Sequence, residues 1–344
     1  MDLDSLPATL HNGAVGGAVG GVPGRVSGER SDASGKKIDT QVMGGTQMRG
    51  LLASILAALT LTLAQPLPTK AETPDGVQLY VFSSGALTIG KGVLQNFAPM
   101  EPPIKIPVGF FVIKHPKGNV LFDTGNNDKI IKDPSYWGPN FDALKPVNTP
   151  DIAIDAQLQK IGLSPDDIRY VVVSHMHLDH GGNVAKFPNS TLVIQRDEIY
   201  YAMWPDEPFT GPFIPGDAAV LRSEVGSGKP NAMNMLILDN QDKDLFGDGS
   251  VVVKSARGHT KGHQMMVVRL KNTGTIILTG DNVYFRENVE KSIPPNLVLA
   301  YDPAGIMRAY EYIRYMQATE KADFFTAHDP EAYKAMKKAP EYYD

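Results

Sequence analysis

From residue 77 onward, short apolar runs alternate with stretches whose apolar residues fall three and four apart. Strands are predicted over 77–82, 107–114 and 119–123, the last two joined through Lys117-Gly118 as a hairpin turn. An amphipathic helix follows over 152–161, ended by Gly162, and then a valine-rich buried strand over 169–174. Further strands are predicted over 191–195, 251–256, 265–270 and 275–279. A helix over 304–318, a strand over 322–326 and a closing helix over 330–339 complete the chain. Two groups of strands, each followed by helices, predict two packed sheets with helices outside them. Residues 200–245 carry neither period and hold Trp204, Pro205, Phe209, Pro212, Phe213 and Pro215. An irregular stretch of that length inside a domain is usually functional.

The first 47 residues are rich in Gly, Ser and charge, with no apolar period, and are expected to be disordered or an upstream extension. Residues 48–71 then run from Met48-Arg49 through an apolar stretch over 51–64 to the small-residue site Thr69-Lys70-Ala71. That is the layout of a cleaved secretory signal, and the apolar run is shorter than the ~20 residues a membrane span needs. The expectation is a protein starting at Met48 or Met43, exported to the periplasm or secreted, with no membrane association after cleavage. Residues 72–344 form the expected folded domain.

Composition narrows the chemistry. The 344 residues are 42% hydrophobic and 21% charged, an ordinary globular balance. A net charge of −5 provides no basic field for nucleic acid. Cysteine is absent, so there is no thiolate nucleophile, and any metal must rest on histidines and carboxylates.

The eight histidines supply the main functional signal. Ser174 to Gly182 reads SHMHLDHGG, directly after the strand over 169–174. In extended backbone, His175 and His177 leave the same side. Asp179 and His180 follow as the chain turns, and Gly181-Gly182 relax the backbone there. These four potential ligands at the end of a buried strand could serve two metals, although the cluster alone does not count them. Two cations ~3.5–4 Å apart also need an anion between them. Later strand ends offer His259 in ARGHTKGHQ, Asp281 in ILTGDN and His328 in FFTAHDP.

Together HMHLDH, GHTKGH, TGD and AHD, with the upstream FDTG of residues 122–125, resemble the successive motifs of the metallo-β-lactamase superfamily. The resemblance spans about residues 77–344. It implies an αββα sandwich of two mixed β-sheets with outer helices, and a centre of two Zn2+ ions. It assigns His175, His177 and His259 to one metal and Asp179, His180 and His328 to the other, with Asp281 bridging. It leaves Asp123 and His263 in supporting roles. Within the superfamily the chain is most similar to the N-acyl-homoserine lactone lactonases, through the stretches over 106–126 and 187–202, Gly262-His263-Gln264 and the stretch over 337–343. Tyr284 falls where those lactonases carry a tyrosine near the lactone. Two positions depart from the pattern: Lys261 stands where proline is usual, and Asn282 where a small residue follows the bridging aspartate. They bear on the substrate rather than on the metals.

The implied reaction is attack of metal-activated hydroxide on the carbonyl of an N-acyl-homoserine lactone or related γ-lactone. Tyr284 would donate a hydrogen bond to the substrate, and Asp179 would carry a proton to the leaving alkoxide. Aryl esters, organophosphates and thioesters remain alternative substrates for the same centre. A metal-binding or scaffold protein on a dead fold is opposed by the complete ligand set. An amphiphilic substrate needs an apolar wall, for which Phe97, Met100, Phe110, Trp204, Phe209 and Phe213 are candidates. The same residues equally fit core packing or a homodimer contact.

Overall fold

Eleven strands make two mixed sheets among residues 74–222 and 233–344, the parts of the chain that the computed structural model describes. The expected extension over 1–47 and export signal over 48–71 lie outside the described residues. The first sheet holds, in spatial order, β1 (Gln78–Ile89), β2 (Ile104–Lys114), β3 (Asn119–Phe122), β4 (Ile168–Val172), β5 (Thr191–Gln195) and β6 (Asn234–Leu238). The second runs β11 (Asp323–Phe325), β10 (Gly274–Leu278), β9 (Gln264–Leu270), β8 (Val251–Ser255) and β7 (Lys243–Asp244).

The strands are apolar on both faces because both faces are covered. Phe111 and Ile113 of β2, Phe122 of β3 and Val172 of β4 meet Val253, Met266, Val268 and Leu278 in the layer between the sheets. The intervening residues point outward. Leu121, Val171 and Leu192 pack with Ile154 and Leu158 of α2 (Ile154–Gln159) and Ile199 of α3 (Arg196–Met203). On the far side, Met265, Val267 and Ile277 meet α4 (Pro303–Glu320), whose Ile306, Ala309, Tyr310, Ile313 and Met316 form one buried stripe. Asp302 starts that helix by accepting a hydrogen bond from the Gly305 amide, with Pro303 in its first turn. The αββα sandwich expected from the sequence is therefore present. Each fully buried aliphatic side chain in these layers contributes roughly 1.5–3 kcal/mol before ordering costs.

Several elements differ from expectation, among them the closing helix, expected over 330–339, which ends at Ala335. β1 continues past residue 82 to Ile89 through a register shift between Ser83 and Ala86, where Gly85 takes φ +102°. The Ser83-Ser84-Gly85 bulge interrupts the apolar pattern that marked the strand. The stretch over 200–245 is not uniformly irregular. It contains the end of α3, a turn of helix at Pro215–Ala218 and β6, which extends the sheet by parallel pairing with β5. Half-buried Met235 and Leu236 on an edge strand do not give the alternation that identifies a strand in sequence.

Strand direction assembles the site. β3 and β4 run parallel, so Asp123 and the 174–180 segment emerge at one end of the first sheet. β10 and β11 also run parallel, so Asp281 and His328 leave the second sheet together.

Candidate metal centre

In the 174–180 segment, Met176 is buried in the core beneath the first sheet, while His175 and His177 on either side of it turn to the centre. The alternation inferred from the sequence holds. The glycines that follow act differently from expectation: neither takes a positive φ. A Cβ on Gly182 would lie 2.4 Å from the Asn127 amide nitrogen and 2.6 Å from the Gly125 carbonyl oxygen. Glycine is required there for close backbone approach.

All seven residues expected as metal ligands come together. Three groups could each hold a cation: His175, His177 and His259; His175, His180 and Asp281; and Asp179, His180 and His328. His259 Nε2 lies 3.1 Å from His175 Nε2 and 2.9 Å from His177 Nδ1. Asp281 sits between the two outer groups. Its Oδ1 is 3.0 Å from His180 Nε2 and 3.2 Å from His328 Nε2, while Oδ2 faces His259 at 3.7 Å and His175 at 4.0 Å.

The donor set fits cations. His259 commits Nδ1 to the Leu299 carbonyl at 2.6 Å, and His328 commits Nδ1 to the Pro107 carbonyl at 2.8 Å. His180 Nδ1 lies 2.9 Å from Asp123 Oδ2. These bonds fix the protons on Nδ1 and leave Nε2 lone pairs converging on one another. Lone pairs at about 3 Å repel unless positive charge lies between them. The electrostatics point the same way. Burial pushes His175 and His177 well below the ordinary histidine value. Burial also opposes charge on His180, but Asp281, Asp179 and Asp123 hold it well above that value. Asp281 lies well below the usual carboxylate range because His180 and His328 outweigh its burial.

A second layer supports the first. Asp123, in left-handed backbone at φ 62°, accepts from Ser174 through both the amide and the hydroxyl while orienting His180. His263 accepts the Asp281 amide at 3.1 Å. Gly280 is needed there, since a Cβ would fall 2.6 Å from His263 Nε2. Asp123 thus braces His180, and His263 the Asp281 backbone. Asn282, expected to bear on the substrate, does not line the cavity beside these residues. It is buried behind the loop, accepting from the His259 amide at 2.9 Å and donating to the Ala256 carbonyl at 2.7 Å. Lys261 turns outward to a salt bridge with Asp206 and lies over the rings of Tyr201 and Tyr301.

Sequence reasoning missed Glu198, which burial pushes up to about 7 although Thr260, Met176 and Gly262 all donate to it. Its signal was present: an acid in the first turn of α3, three and four residues before the buried Tyr201 and Ala202.

Beside the ligands lies a cavity of about 210 Å3. His177, Asp179, Asp281, Tyr284 and His328 form its polar floor, and Leu87, Ile89, Leu94, Ile106, Leu144 and Leu299 its apolar walls. Tyr284 is buried, its ring stacked on His328 at 5.7 Å between centroids. The walls are not those expected. Phe97 is 99% exposed, Met100 and Trp204 are largely exposed, Phe110 stacks on Phe82 in the core, and Phe209 packs on Tyr301. Of the six, Phe213 alone reaches the site, its ring 4.6 Å from that of His177. The walls come instead from β1, β2, α1 (Pro139–Leu144) and the segments that carry Leu94 and Leu299, through aliphatic side chains that do not stand out in the sequence.

Seven clustered histidines and carboxylates that could hold metal, set beyond the strands of an αββα sandwich, have the make-up of a metal-dependent hydrolase centre. A family profile described as the metallo-beta-lactamase superfamily matches residues 107–328, and the chain belongs to that superfamily. Among its relatives is an N-acyl homoserine lactonase, AttM, of Azorhizobium caulinodans. The two are 34% identical over 272 residues, covering 78% of this chain and 99% of the relative. Solved structures share the fold. One is an N-acyl homoserine lactone hydrolase with its product N-hexanoyl-L-homoserine at the catalytic metal centre, at TM-score 0.65 and 24% identity, over 77% of this chain and 98% of the other. Another is the dizinc quorum-quenching lactonase AidC, at TM-score 0.54 and 17% identity, over 78% of this chain and 93% of the other.

Proposed function

We propose that the chain is a two-zinc lactonase that opens the ring of N-acyl-homoserine lactones or related γ-lactones. The observation that carries this is one cavity with a floor of metal ligands and walls of aliphatic side chains. That combination suits a polar ester head attached to an apolar tail. His175, His177 and His259 would hold one ion and Asp179, His180 and His328 the other, with the Asp281 carboxylate between the two groups. Bound there, the ions supply an acidified water at neutral pH and Lewis-acid polarisation of the ester carbonyl.

The protein's own residues do the rest. Leu87, Ile106 and Leu144 hold the acyl chain and exclude water from it. Tyr284 presents a phenol whose proton is secure, since burial, reinforced by Asp281, pushes it well above the ordinary tyrosine value. It therefore acts as a hydrogen-bond donor to the carbonyl or leaving oxygen. Asp179, on the cavity floor with Oδ2 3.5 Å from His328 Nε2, takes the proton released on attack and passes it to the ring oxygen as the C–O bond breaks. The products are one carboxylate and one free hydroxyl.

A thioesterase, which for a carboxylate-bearing substrate would need a basic patch such as Lys334, Lys337 and Lys338 near the C-terminus, finds less support, because two of these lysines are engaged locally. Lys337 donates to the Tyr342 carbonyl, and Lys338 to the carbonyls of Lys334 and Met336. The deciding experiment is a hydrolysis panel on the zinc-loaded protein, with acyl-homoserine lactones of graded chain length beside aryl-ester, paraoxon-type, thioester and β-lactam substrates. Lactones turning over most slowly would sink the proposal. Export through the segment over 48–71 is also proposed, and N-terminal sequencing of the mature protein tests it. No helix among the described residues is long and apolar enough to cross a membrane.

A further inference from the structure

Glu198 is fully buried near the start of α3, beside the buried Ile199 and Tyr201. Among the described residues no lysine, arginine or histidine forms an ion pair with it. A carboxylate in that position is costly unless hydrogen bonds satisfy it. Its three donors come from two separate segments. Oε1 accepts the amide of Met176, the residue between His175 and His177, at 2.8 Å. Oε2 accepts the hydroxyl of Thr260 at 2.6 Å and the amide of Gly262 at 3.2 Å, both in the loop that carries His259. The loop presses so closely on the helix start that a Cβ on Gly262 would fall 2.2 Å from the Glu198 amide nitrogen.

The three histidines of the first metal group therefore belong to two segments that meet through one side chain. We propose that Glu198 is a positioning residue that sets the spacing between His259 and the His175–His177 pair, and with it the affinity of that group for its cation. The inference rests on reading the three histidines as a metal site. Zn–N bonds of 2.0–2.1 Å in tetrahedral geometry need ligand nitrogens about 3.3 Å apart, so shifts of a few tenths of an ångström matter. Without the carboxylate, the Met176 and Gly262 amides would lose their acceptor and the loops could separate.

The test compares Glu198→Gln and Thr260→Val with the parent protein. Glutamine keeps an acceptor for the Met176 amide but turns an NH2 group toward the Gly262 N–H. Valine removes only the hydroxyl donor. Zinc affinity is read by competition with a chromophoric chelator, ligand geometry by the absorption spectrum of the Co2+-substituted protein, and folding by the melting temperature of the metal-free form. The expected result is a roughly 10–100-fold loss of zinc affinity in Glu198→Gln and a smaller loss in Thr260→Val. The cobalt spectrum should change in both while metal-free melting stays within a few degrees. If Glu198→Gln does not fold, Thr260→Val decides by the same measures. Unchanged affinity and spectrum overturn the positioning role, as does a loss no larger than the loss of metal-free stability. A parent protein that binds no zinc would overturn the metal reading itself, a separate result.

Discussion

The Nε2 atoms of His180 and His328 stand 3.1 Å apart, although each ring directs its Nδ1 elsewhere, to Asp123 and to the Pro107 carbonyl. With both rings neutral, two imidazole lone pairs would face each other, held there by bonds that neither ring can release cheaply. Asp281 Oδ1 lies within 3.2 Å of both. The arrangement is stable only with positive charge among the three, which makes the centre a receptor for cations.

Stripping the protein with a chelator should therefore remove both activity and stability. At free zinc ~1,000-fold above Kd, one bound ion adds about 4 kcal/mol, which for a domain of this size moves melting by about 10 °C. Thermal scans with and without zinc check this. Equal melting in the two conditions would mean that the site does not bind zinc.

Tyr284→Phe removes one hydroxyl and leaves the ring against His328. The lost donor to the developing charge should lower kcat about 10–100-fold with KM changed only a few-fold. Zinc content should stay constant, since Tyr284 is not among the ligands. An unchanged kcat would reduce Tyr284 to a packing residue.

The cavity walls give a size-selective prediction. Leu144→Trp adds bulk to the apolar side and should weaken kcat/KM for long acyl chains about 10-fold relative to a lactone without a tail. Trp204→Ala, at an exposed position, should leave that ratio unchanged. A chain-length profile of both variants separates the two surfaces. The reverse pattern would restore the wall first expected from the sequence.

Asp217 provides a pH dependence away from the ligands. Burial pushes its carboxyl up to about 7, although Tyr136 and Asn127 donate to it. The ordinary value is 3.8, so between about pH 4 and 7 the unfolded chain has lost a proton that the folded chain keeps. The folded state binds more protons, and stability falls as pH rises through that window. Asparagine stays neutral throughout. Relative to the parent, Asp217→Asn should thus gain about 2–4 kcal/mol between pH 4 and pH 8. Urea unfolding at both values measures it, and a difference that does not change with pH contradicts it.

Much of this was legible in the chain. Strand periods in two groups gave the layers, because a sheet covered on both sides must be apolar on both faces. His175 and His177 could be placed on one side, and Asp179 and His180 beside them, because neighbours at a strand end are fixed by local backbone geometry. His259, Asp281 and His328 were candidates because each follows a later strand, and their roles came from resemblance to the motifs of the superfamily. The outward turn of Lys261 and the burial of Asn282 behind the loop were not, since each depends on a segment distant in sequence.

What the sequence by itself determined, then, is which residues are candidate ligands and which strands they follow. Only the tertiary structure decided how they meet. Parallel pairing of β3 with β4 and of β10 with β11 sends the ligand-bearing ends to a common edge. Asp281 acquires two sets of neighbours, and Glu198 closes on two loops at once, because the sandwich brings together segments more than sixty residues apart. The cavity wall falls to Leu87, Ile106 and Leu144 rather than to the conspicuous aromatics for the same physical reason. Burial beside a site is a property of packing between distant segments, and no local pattern encodes it.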